Sequence, residues 1–599
     1  MGVFNKIFCI FALRRGAALL QYHEKSIIKY FIRMFKNQPA GLYVLSLANT
    51  GERFGYYTML AIFLLFLQAK FGLDSTVSGQ IYAGFLALVY FMPLVGGWVA
   101  DKWSFSKCVV TGIFVMFIGY MVMAIPTDIR STSSLVILCA ALILIAAGTG
   151  LFKGNLQVMV GDLYNEARYS GQRDAAFSLF YMAINIGSMF APMAATAMCN
   201  MALQAKNLTY VSALPALCNQ YLDGNENGAE LINVATENGM AVGSDVAAFA
   251  SEYITTLSTG YSYAFGVACV SLIVSFLIYF LGRRTYAHIL TDKKQNGNVK
   301  ATAAAAPELS PAQTKQRVVA LLLVFAVVIF FWMVFHQNGA TLTEFAKSCT
   351  SPDASGWTRI GFNVWALLSV AVGVYALFNL FQSKGTLSTV ISIIIIALAG
   401  WAIYHFYSVT PDPVTSIQPQ QYQQFNPFYV VALTPFSLAI FGWLAKRKKE
   451  PSAPRKIGYG MIMAAVAYGV MLIGSLSIVG TSAAVSPNWL ISTYLLLTFA
   501  ELLLSPMGIS FVSKVAPPKL KGSMMGGWFA ATAVGNYLVS IPMLLWGKIS
   551  TAMLWGILVA ICLVSAAFIF SIMKKLEAAT SDQPAPEVDS LETVEDDAI

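Results

Sequence analysis

The sequence has few charged residues. Only 11% of its 599 residues are Asp, Glu, Lys or Arg, whereas 57% are hydrophobic. Soluble domains carry about a quarter charged residues, so this composition excludes an ordinary soluble protein and indicates a membrane protein. The formal net charge is +9, but no basic patch is interleaved with aromatic residues in a polar segment. We therefore expect no nucleic-acid partner.

A cysteine framework and metal-ligand spacings are also lacking. Five of the eight cysteines fall in or beside apolar segments and are expected only to pack: Cys9, Cys108, Cys139, Cys269 and Cys562. Cys199 and Cys218 lie at the start of a predicted external loop, so the sequence allows either a disulfide between them or two free thiols. There is no metal cluster, nucleophile elbow or phosphate-binding loop. We expect no metal, no cofactor and no enzymatic activity.

Long apolar segments dominate what remains. Crossing the hydrocarbon takes about 20 apolar residues in a helix, and this window predicts fourteen helices in an all-α polytopic protein. They span residues 41–68, 78–101, 107–125, 134–161, 174–199, 259–282, 316–346, 359–382, 385–407, 424–445, 456–480, 487–514, 522–546 and 551–573. Residues 283–317 hold seven Lys/Arg and residues 446–456 hold six. This bias predicts that both loops, and with an even helix count both termini, lie in the cytoplasm.

The segments between the helices suggest a division into two halves. Residues 200–258 carry six acids and Lys206 as the only base, which predicts a partly ordered external loop. The sequence predicts a cytoplasmic extension 1–37, in which Met34 is the more natural start, followed by a six-helix half 38–283 and a flexible connector 284–315. A second half 316–574 with an inserted hairpin 359–407 and an acidic disordered tail 575–599 complete the chain. The hairpin carries no charge in mid-span, so we expect a peripheral, lipid-facing pair without a transport role.

Ionisable residues inside the spans are functional candidates, because charges in hydrocarbon are costly. Asn49, Glu52, Arg53 and Tyr56 share one face of the first helix, facing an interior cavity. The alternative is that Glu52 and Arg53 neutralise each other and only fix helix packing.

Two further charges each stand without an obvious partner. Lys153 lies in the fourth helix among glycines that allow close helix approach, and Glu501 lies in the second half. Opposite charges in the two halves predict an ion pair across the cavity, with a permanent structural salt bridge as the alternative.

Three other ionisable residues complete the candidates. A histidine can titrate near physiological pH, so His336 is a proton carrier or an interior hydrogen-bonding group. Glu344 is expected at the membrane interface. Asp101 follows Gly96-Gly97 at the cytoplasmic end of the second helix and suits a gating contact.

Several blocks together resemble the proton-dependent oligopeptide transporter family of the major facilitator superfamily. The similar segments are Glu52-Arg53-Phe54-x-Tyr56-Tyr57 (like the end of ExxERFxYY), Phe180-Tyr181-x-x-Ile184-Asn185-x-Gly187-Ser188, Gly97-x-x-x-Asp101, Trp332 with Gln337, Asn426-Pro427, and Glu501 with Ser505-Pro506. The resemblance runs from residue 38 to 573.

This resemblance implies two six-helix bundles around a central cavity, alternating access, and proton-driven uptake of di- and tripeptides. By position, Arg53 and Lys153 would attract the peptide carboxylate. Glu501, with Asn185 and Asn426, would receive the amino terminus. The walls of the pocket would be Tyr56, Tyr57, Tyr90 and Trp332. Clamping both charged ends while aromatic walls accept varied side chains suits such substrates.

The sequence departs from the family pattern at coupling positions. The first Glu of the signature is Asn49, which cannot titrate; Leu60 and Ala83 replace a basic residue and a histidine, and His336 stands where a carboxylate is often found. The remaining proton-coupling candidates are Glu52, Glu501 and His336. Alternatives are another small anion or zwitterion as cargo, such as nitrate or a modified peptide, or a sensor that binds without transport. We expect a monomer in a bacterial inner membrane.

Overall fold

The computed structural model describes residues 38–164, 168–169, 173–224, 228–290, 310–382, 385–478, 484–517 and 520–581. The predicted extension 1–37 lies outside the described residues, as do most of the connector and the tail from residue 582. In the described part, 14 helices are long and apolar enough to cross a membrane, which confirms the polytopic all-α prediction.

The helices follow the predicted order. In the first half they are α1 (Ala40–Phe71), α2 (Ser75–Lys102), α3 (Phe105–Ala124), α4 (Thr132–Asp162), α5 (Arg173–Gln204), the short α6 (Leu214–Leu222) and α7 (Ala229–Glu237), and α8 (Val246–Leu281). In the second half they are α9 (Pro311–Phe335), α10 (Thr341–Ser348), α11 (Val364–Gln382), α12 (Thr386–Val409), α13 (Phe425–Lys446), α14 (Ala453–Ser475), α15 (Asn488–Val515), α16 (Lys521–Leu538), α17 (Ser540–Leu545), α18 (Thr551–Ser571) and α19 (Met573–Ser581).

Local sequence signals explain several helix ends. Helix α1 stops at Gly72, which adopts a left-handed conformation (φ +65°) and donates its N–H to Gln68 O at 3.0 Å. Glycine tolerates this conformation at no steric cost. Helix α2 then begins at Ser75, directly after Asp74, whose side chain accepts the N–H of Val77 at 2.7 Å and so caps the helix. The two signals confine the turn between α1 and α2 to a few residues.

Each half buries its own hydrophobic core. The first core draws almost all its residues from 42–289, and the second almost all from 320–579. Glycines let the helices of the first half touch: a Cβ on Gly96 would lie 2.1 Å from Gly150 O, and one on Gly112 would lie 2.7 Å from Gly148 O. The predicted close approach around Lys153 is therefore present, because only glycine leaves room for it.

Two predicted helices are broken instead of continuous. The predicted 316–346 ends as α9 at Phe335, passes through a 3-10 turn over His336–Gly339 and resumes as α10. The predicted 522–546 breaks between α16 and α17. Gln337 joins both breaks, because its Nε2 donates to Met333 O (2.9 Å) and Val539 O (3.3 Å). Irregular backbone at membrane depth survives when protein groups satisfy it in this way.

The segment 200–258 is more ordered than predicted. It contains α6 and α7, and α8 begins at Val246, well before the predicted residue 259. Asp245 caps α8 by accepting the N–H of Ala248 at 2.9 Å. Cys199 and Cys218 are both buried free thiols. Part of the turn-rich stretch after Asp223 lies outside the described residues.

The inserted hairpin consists of α11 and α12. The predicted start at 359 is wrong, because Gly356–Phe362 forms a 3-10 turn that precedes α11. Arg359 anchors the hairpin by donating to Asp412 Oδ2 (2.6 Å) and to Tyr407 O (2.8 Å). Only 11% of the α12 span is buried inside the protein, in agreement with a peripheral position.

Helix α11, in contrast, contacts both halves. It packs on α13 of the second half and on α5 of the first. Trp365 meets Phe190 edge-on with ring centroids 5.2 Å apart, and Tyr375 Oη lies 3.4 Å from Met182 Sδ. The expectation of a purely lipid-facing pair is therefore wrong for α11, because its inner aromatic residues reach the first half.

Candidate functional site

A cavity of about 240 Å³ lies between the two halves. Its walls include every residue predicted to bind substrate: Arg53, Tyr56, Tyr57, Tyr90, Lys153, Asn185, Trp332, Asn426 and Glu501. His336 also lines it, whereas Glu52 does not. The first half thus supplies two cations to the cavity, and the second half supplies a carboxylate and an imidazole. The functional roles of these residues stay predictions.

Glu52 and Arg53 form a buried bidentate ion pair on α1. Arg53 Nε and Nη2 each lie 2.5 Å from a carboxylate oxygen of Glu52, and the two side chains are 4% and 1% exposed. The Arg53 guanidinium also lies over the ring of Tyr56, 4.6 Å from its centroid. The self-neutralising pair is therefore present, and Arg53 separates Glu52 from the cavity. A ligand carboxylate would have to compete with Glu52 for the same donors.

Lys153 projects from α4 toward the aromatic wall. Its Nζ lies 4.2 Å from the centroid of the Tyr90 ring, a cation–π contact. Asn155, two residues on, donates to Gly96 O at 3.2 Å and so ties α4 to α2. Within the described residues Lys153 makes no ion pair. The predicted Lys153–Glu501 salt bridge is therefore wrong for this state of the protein.

Glu501 is satisfied by neutral donors instead. Asn426 Nδ2 donates to Oε2 at 3.0 Å, and the hydroxyl of Tyr181 donates to Oε1 at 2.9 Å. Asn426 belongs to the second half and Tyr181 to the first, so one carboxylate links the halves. These donors explain how Glu501 stays buried at 8% exposure without a cation. Asn185 does not reach Glu501; its amide donates to Tyr181 O at 2.9 Å.

Tyr181 was missed as a candidate residue. It lies four positions before Asn185 on α5, so both occupy one helix face. Tyr181 also lines the cavity. The signal was available, because Tyr181 belongs to the same motif as Asn185, but its partner Glu501 is 320 residues away in the chain.

His336 lies in the break after α9. Its ring stacks on Trp332 with centroids 4.9 Å apart and planes 18° apart, and Tyr90 lies across the cavity at 5.9 Å. His336 Nδ1 lies 2.6 Å from Asn536 Oδ1 of α16. The helical break turns the histidine into the cavity, beside the aromatic wall and Lys153.

We call the end of the bundle where α1 finishes, beside α6 and α7, the loop side. Here Glu344 of α10 is bonded to Gln68 of α1, and Lys347 donates to Gln68 Oε1 at 2.6 Å. Lys347 also lies 3.1 Å from Glu344. Glu344 is 1% exposed, because the ends of α1 and α10 enclose it, and its position at the membrane interface stays a prediction.

A second group of amide contacts joins the halves on the same side. Gln418 donates to Asn200 Oδ1 at 2.5 Å, Gln420 donates to Thr196 Oγ1 at 3.1 Å, and Gln423 donates to Ala61 O at 3.1 Å. The glutamines lie in the turn before α13, and their partners lie on α5 and α1. Together with the Gln68 cluster, they close the loop side of the cavity.

The predicted gating residue Asp101 lies within α2, but its side chain lies outside the described residues. Its role stays a prediction. The backbone around it is helical to Lys102, whose ammonium covers the ring of Trp98 at 3.8 Å.

The chain is similar to known membrane transporters. A sequence model of the POT family matches residues 106–221 and 387–557. A transporter of Bacillus subtilis, "Uncharacterized transporter YclF", is 26% identical over 90% of this chain and 95% of its own length. The dipeptide and tripeptide permease A of Escherichia coli is 24% identical, with 86% of each chain covered. The chain is thus similar to the POT family over most of its length.

A solved structure supports the same fold. A peptide transporter POT in complex with alafosfalin superimposes with a TM-score of 0.62 and 20% identity, over 91% of this chain and 97% of the other. The major facilitator architecture predicted from the sequence is thus confirmed. Like these relatives, the chain is a multi-pass membrane transporter and not an enzyme.

Proposed function

We propose that the protein imports di- and tripeptides by proton symport through alternating access. The carrying observation is that one cavity between the two halves holds separated opposite charges. Arg53 and Lys153 lie on the first half and Glu501 on the second. A peptide zwitterion has complementary charges at its ends, and charge-assisted hydrogen bonds orient it.

The surroundings of the charges suit a peptide better than a simple anion. A nitrate-like cargo would bind the two cations, but it has no positive group to bind the carboxylate of Glu501. Aromatic walls built from Tyr56, Tyr90 and Trp332 accept apolar and varied side chains between the clamped ends. Di- and tripeptides are also the substrates named for the Escherichia coli relative.

Proton coupling would use groups that exchange partners when the peptide binds. A peptide carboxylate arriving at Arg53 competes with Glu52, which would then be free to take a proton. Glu501 and His336 line the cavity directly and would exchange protons with the solvent there. Protons are the coupling ions, and no cofactor is required.

Alternating access would require the contacts that close the loop side to break. We infer that the loop side is external and that both termini are cytoplasmic, in the inner membrane of a bacterium. The basic loops support this orientation. The bonds around Gln68 are hydrogen bonds and an ion pair, and such bonds can exchange with water when the halves separate. A monomer stays the predicted state.

Uptake of labelled dialanine into liposomes under an imposed proton gradient tests the proposal. Accumulation that disappears with a proton-conducting ionophore is the expected result. Binding without uptake would favour a sensor instead. If the protein neither binds nor takes up dialanine but does take up nitrate or a modified peptide, the peptide assignment is rejected. The fold would then carry another cargo.

A further inference from the structure

His336 is held from behind by a residue outside the cavity. Its Nδ1 lies 2.6 Å from Oδ1 of Asn536, which is fully buried on α16. An amide oxygen can only accept a hydrogen bond, so Nδ1 carries the hydrogen. Nε2 is then the ring nitrogen left to take and release a proton. Within the described residues Nε2 has no hydrogen-bond partner.

The surroundings also fix the orientation of the ring. Trp332 stacks on one face of His336 at 4.9 Å. Helix α16 approaches α9 closely at Gly535, where a Cβ would lie 2.4 Å from Ile329 O. The missing side chain at this glycine brings the neighbouring Asn536 within reach of the histidine. With Nδ1 bound to Asn536, the remaining edge of the ring is turned to the cavity that His336 lines.

Packing does not explain an amide at this position. Asn536 Nδ2 has no hydrogen-bond partner among the described residues, and an unsatisfied buried donor destabilises the fold. An apolar side chain of similar size would avoid that cost. Thr532, one turn earlier, satisfies its hydroxyl on its own helix at Trp528 O, 2.9 Å away. Asn536 makes its one described side-chain bond to His336.

We propose that Asn536 is a positioning residue for proton coupling, which holds His336 in the tautomer whose Nε2 exchanges the transported proton with the cavity. The inference rests on the proposed proton symport. The charged or titratable groups that face His336 are Lys153 of α4 and Tyr90 of α2.

The placement couples the proton to the peptide. A proton bound at Nε2 makes His336 cationic beside Lys153, and the added charge attracts a peptide carboxylate. Release of the peptide leaves two cations close together, and their repulsion favours release of the proton. The proton enters from one side of the membrane and leaves to the other, so the transport step is balanced without a further reactant.

The test uses the full chain in liposomes with labelled dialanine. Proton-driven accumulation is measured over a series of pH values, and counterflow is measured at equal pH on both sides. The variants are Asn536→Leu and Asn536→Asp. Asn379→Leu is the matched control, because Asn379 lies on α11 and donates to Ser392 at 2.7 Å, away from the cavity.

Asn536→Leu is expected to lose about tenfold in proton-driven accumulation, the lower end of the loss that follows removal of the hydrogen-bond partner of a metal-binding histidine, and to retain counterflow. Asn536→Asp is expected to accumulate peptide with its pH midpoint about one unit higher, because a carboxylate at Nδ1 stabilises the charged ring. Asn379→Leu should match the wild type.

A wild-type pH profile in Asn536→Leu would overturn the proposal, and so would an equal loss of accumulation and counterflow. If Asn536→Leu does not fold, an unshifted profile in Asn536→Asp overturns it instead. A wild type that shows neither uptake nor counterflow would contradict the proposed function itself, whatever the variants do.

Discussion

Replacing Glu501 by glutamine should remove the proposed binding site for the peptide amino terminus. Its two oxygens accept hydrogen bonds from Asn426 (3.0 Å) and Tyr181 (2.9 Å). Each carboxylate oxygen has a second lone pair that a peptide ammonium can use. Glutamine removes the charge, and it also presents an amide NH₂ to neighbours that are themselves donors.

The magnitude follows from the kind of bond that is lost. A hydrogen bond to a charged group contributes about 1.5–3 kcal/mol. Because about 1.4 kcal/mol corresponds to a tenfold change in affinity, the Kd for dialanine should rise by about tenfold to about a hundredfold. Low exposure of Glu501, 8%, favours the upper part of this range, since buried charges are less screened.

A chemical double-mutant cycle separates this effect from general damage. Binding of dialanine and of N-acetyl-dialanine, which has no ammonium group, is measured for the wild type and for Glu501→Gln. Acetylation should weaken binding strongly in the wild type and hardly at all in the variant. The control is Glu252→Gln, an exposed residue of the Lys206–Glu252 pair. An equal acetylation penalty in both proteins would refute the assignment of Glu501.

Three further predictions follow from other contacts. Lys153→Gln should abolish the preference for dialanine over its C-terminal amide, measured as a ratio of binding constants; an unchanged ratio would contradict a carboxylate site at Lys153. Gln68→Leu should weaken the contacts that close the loop side, because hydrogen bonds of Gln68 to charged groups such as Glu344 contribute about 1.5–3 kcal/mol. Pulsed EPR between spin labels on the loop-side ends of the two halves should then show a larger population at long distance. An unchanged distance distribution would contradict this closure. The pKa of Glu577 lies below its ordinary value of 4.5 because Arg455 donates to it. The wild type should therefore be thermally more stable than Glu577→Gln above about pH 5, and this advantage should be lost as the pH falls through the lowered pKa. A difference in thermal stability that stays constant with pH would reject the linkage.

The helices were predictable because membrane spans leave a strong local signal. A window of apolar residues was sufficient for all fourteen. The break at His336–Gly339 was not predicted, although Asn338-Gly339 is a typical turn pair. Its stability depends on Gln337 reaching Val539 in another helix, and such a partner leaves no local trace in the sequence.

The members of the site were predictable, but their pairing was not. Charges within apolar spans identified Arg53, Lys153 and Glu501 because such residues are rare there. Opposite signs then suggested one ion pair between the halves. The structure divides the charges differently: Arg53 pairs with Glu52 on its own helix, and Glu501 takes neutral donors. Which partner is nearest depends on how the two halves meet, and composition does not encode this.

The missing Lys153–Glu501 bond itself favours transport over static structure. A permanent salt bridge would satisfy both charges, and a peptide would have to break it in order to bind. Here Lys153 rests on an aromatic ring and Glu501 on an amide and a phenol, contacts that a zwitterion can supplement without displacing an ion. Because the two charges belong to different halves, a short peptide bound as proposed would obtain both end contacts only when the halves hold them at the right separation. Its binding free energy would then depend on the arrangement of the halves, as the proposed alternating access requires.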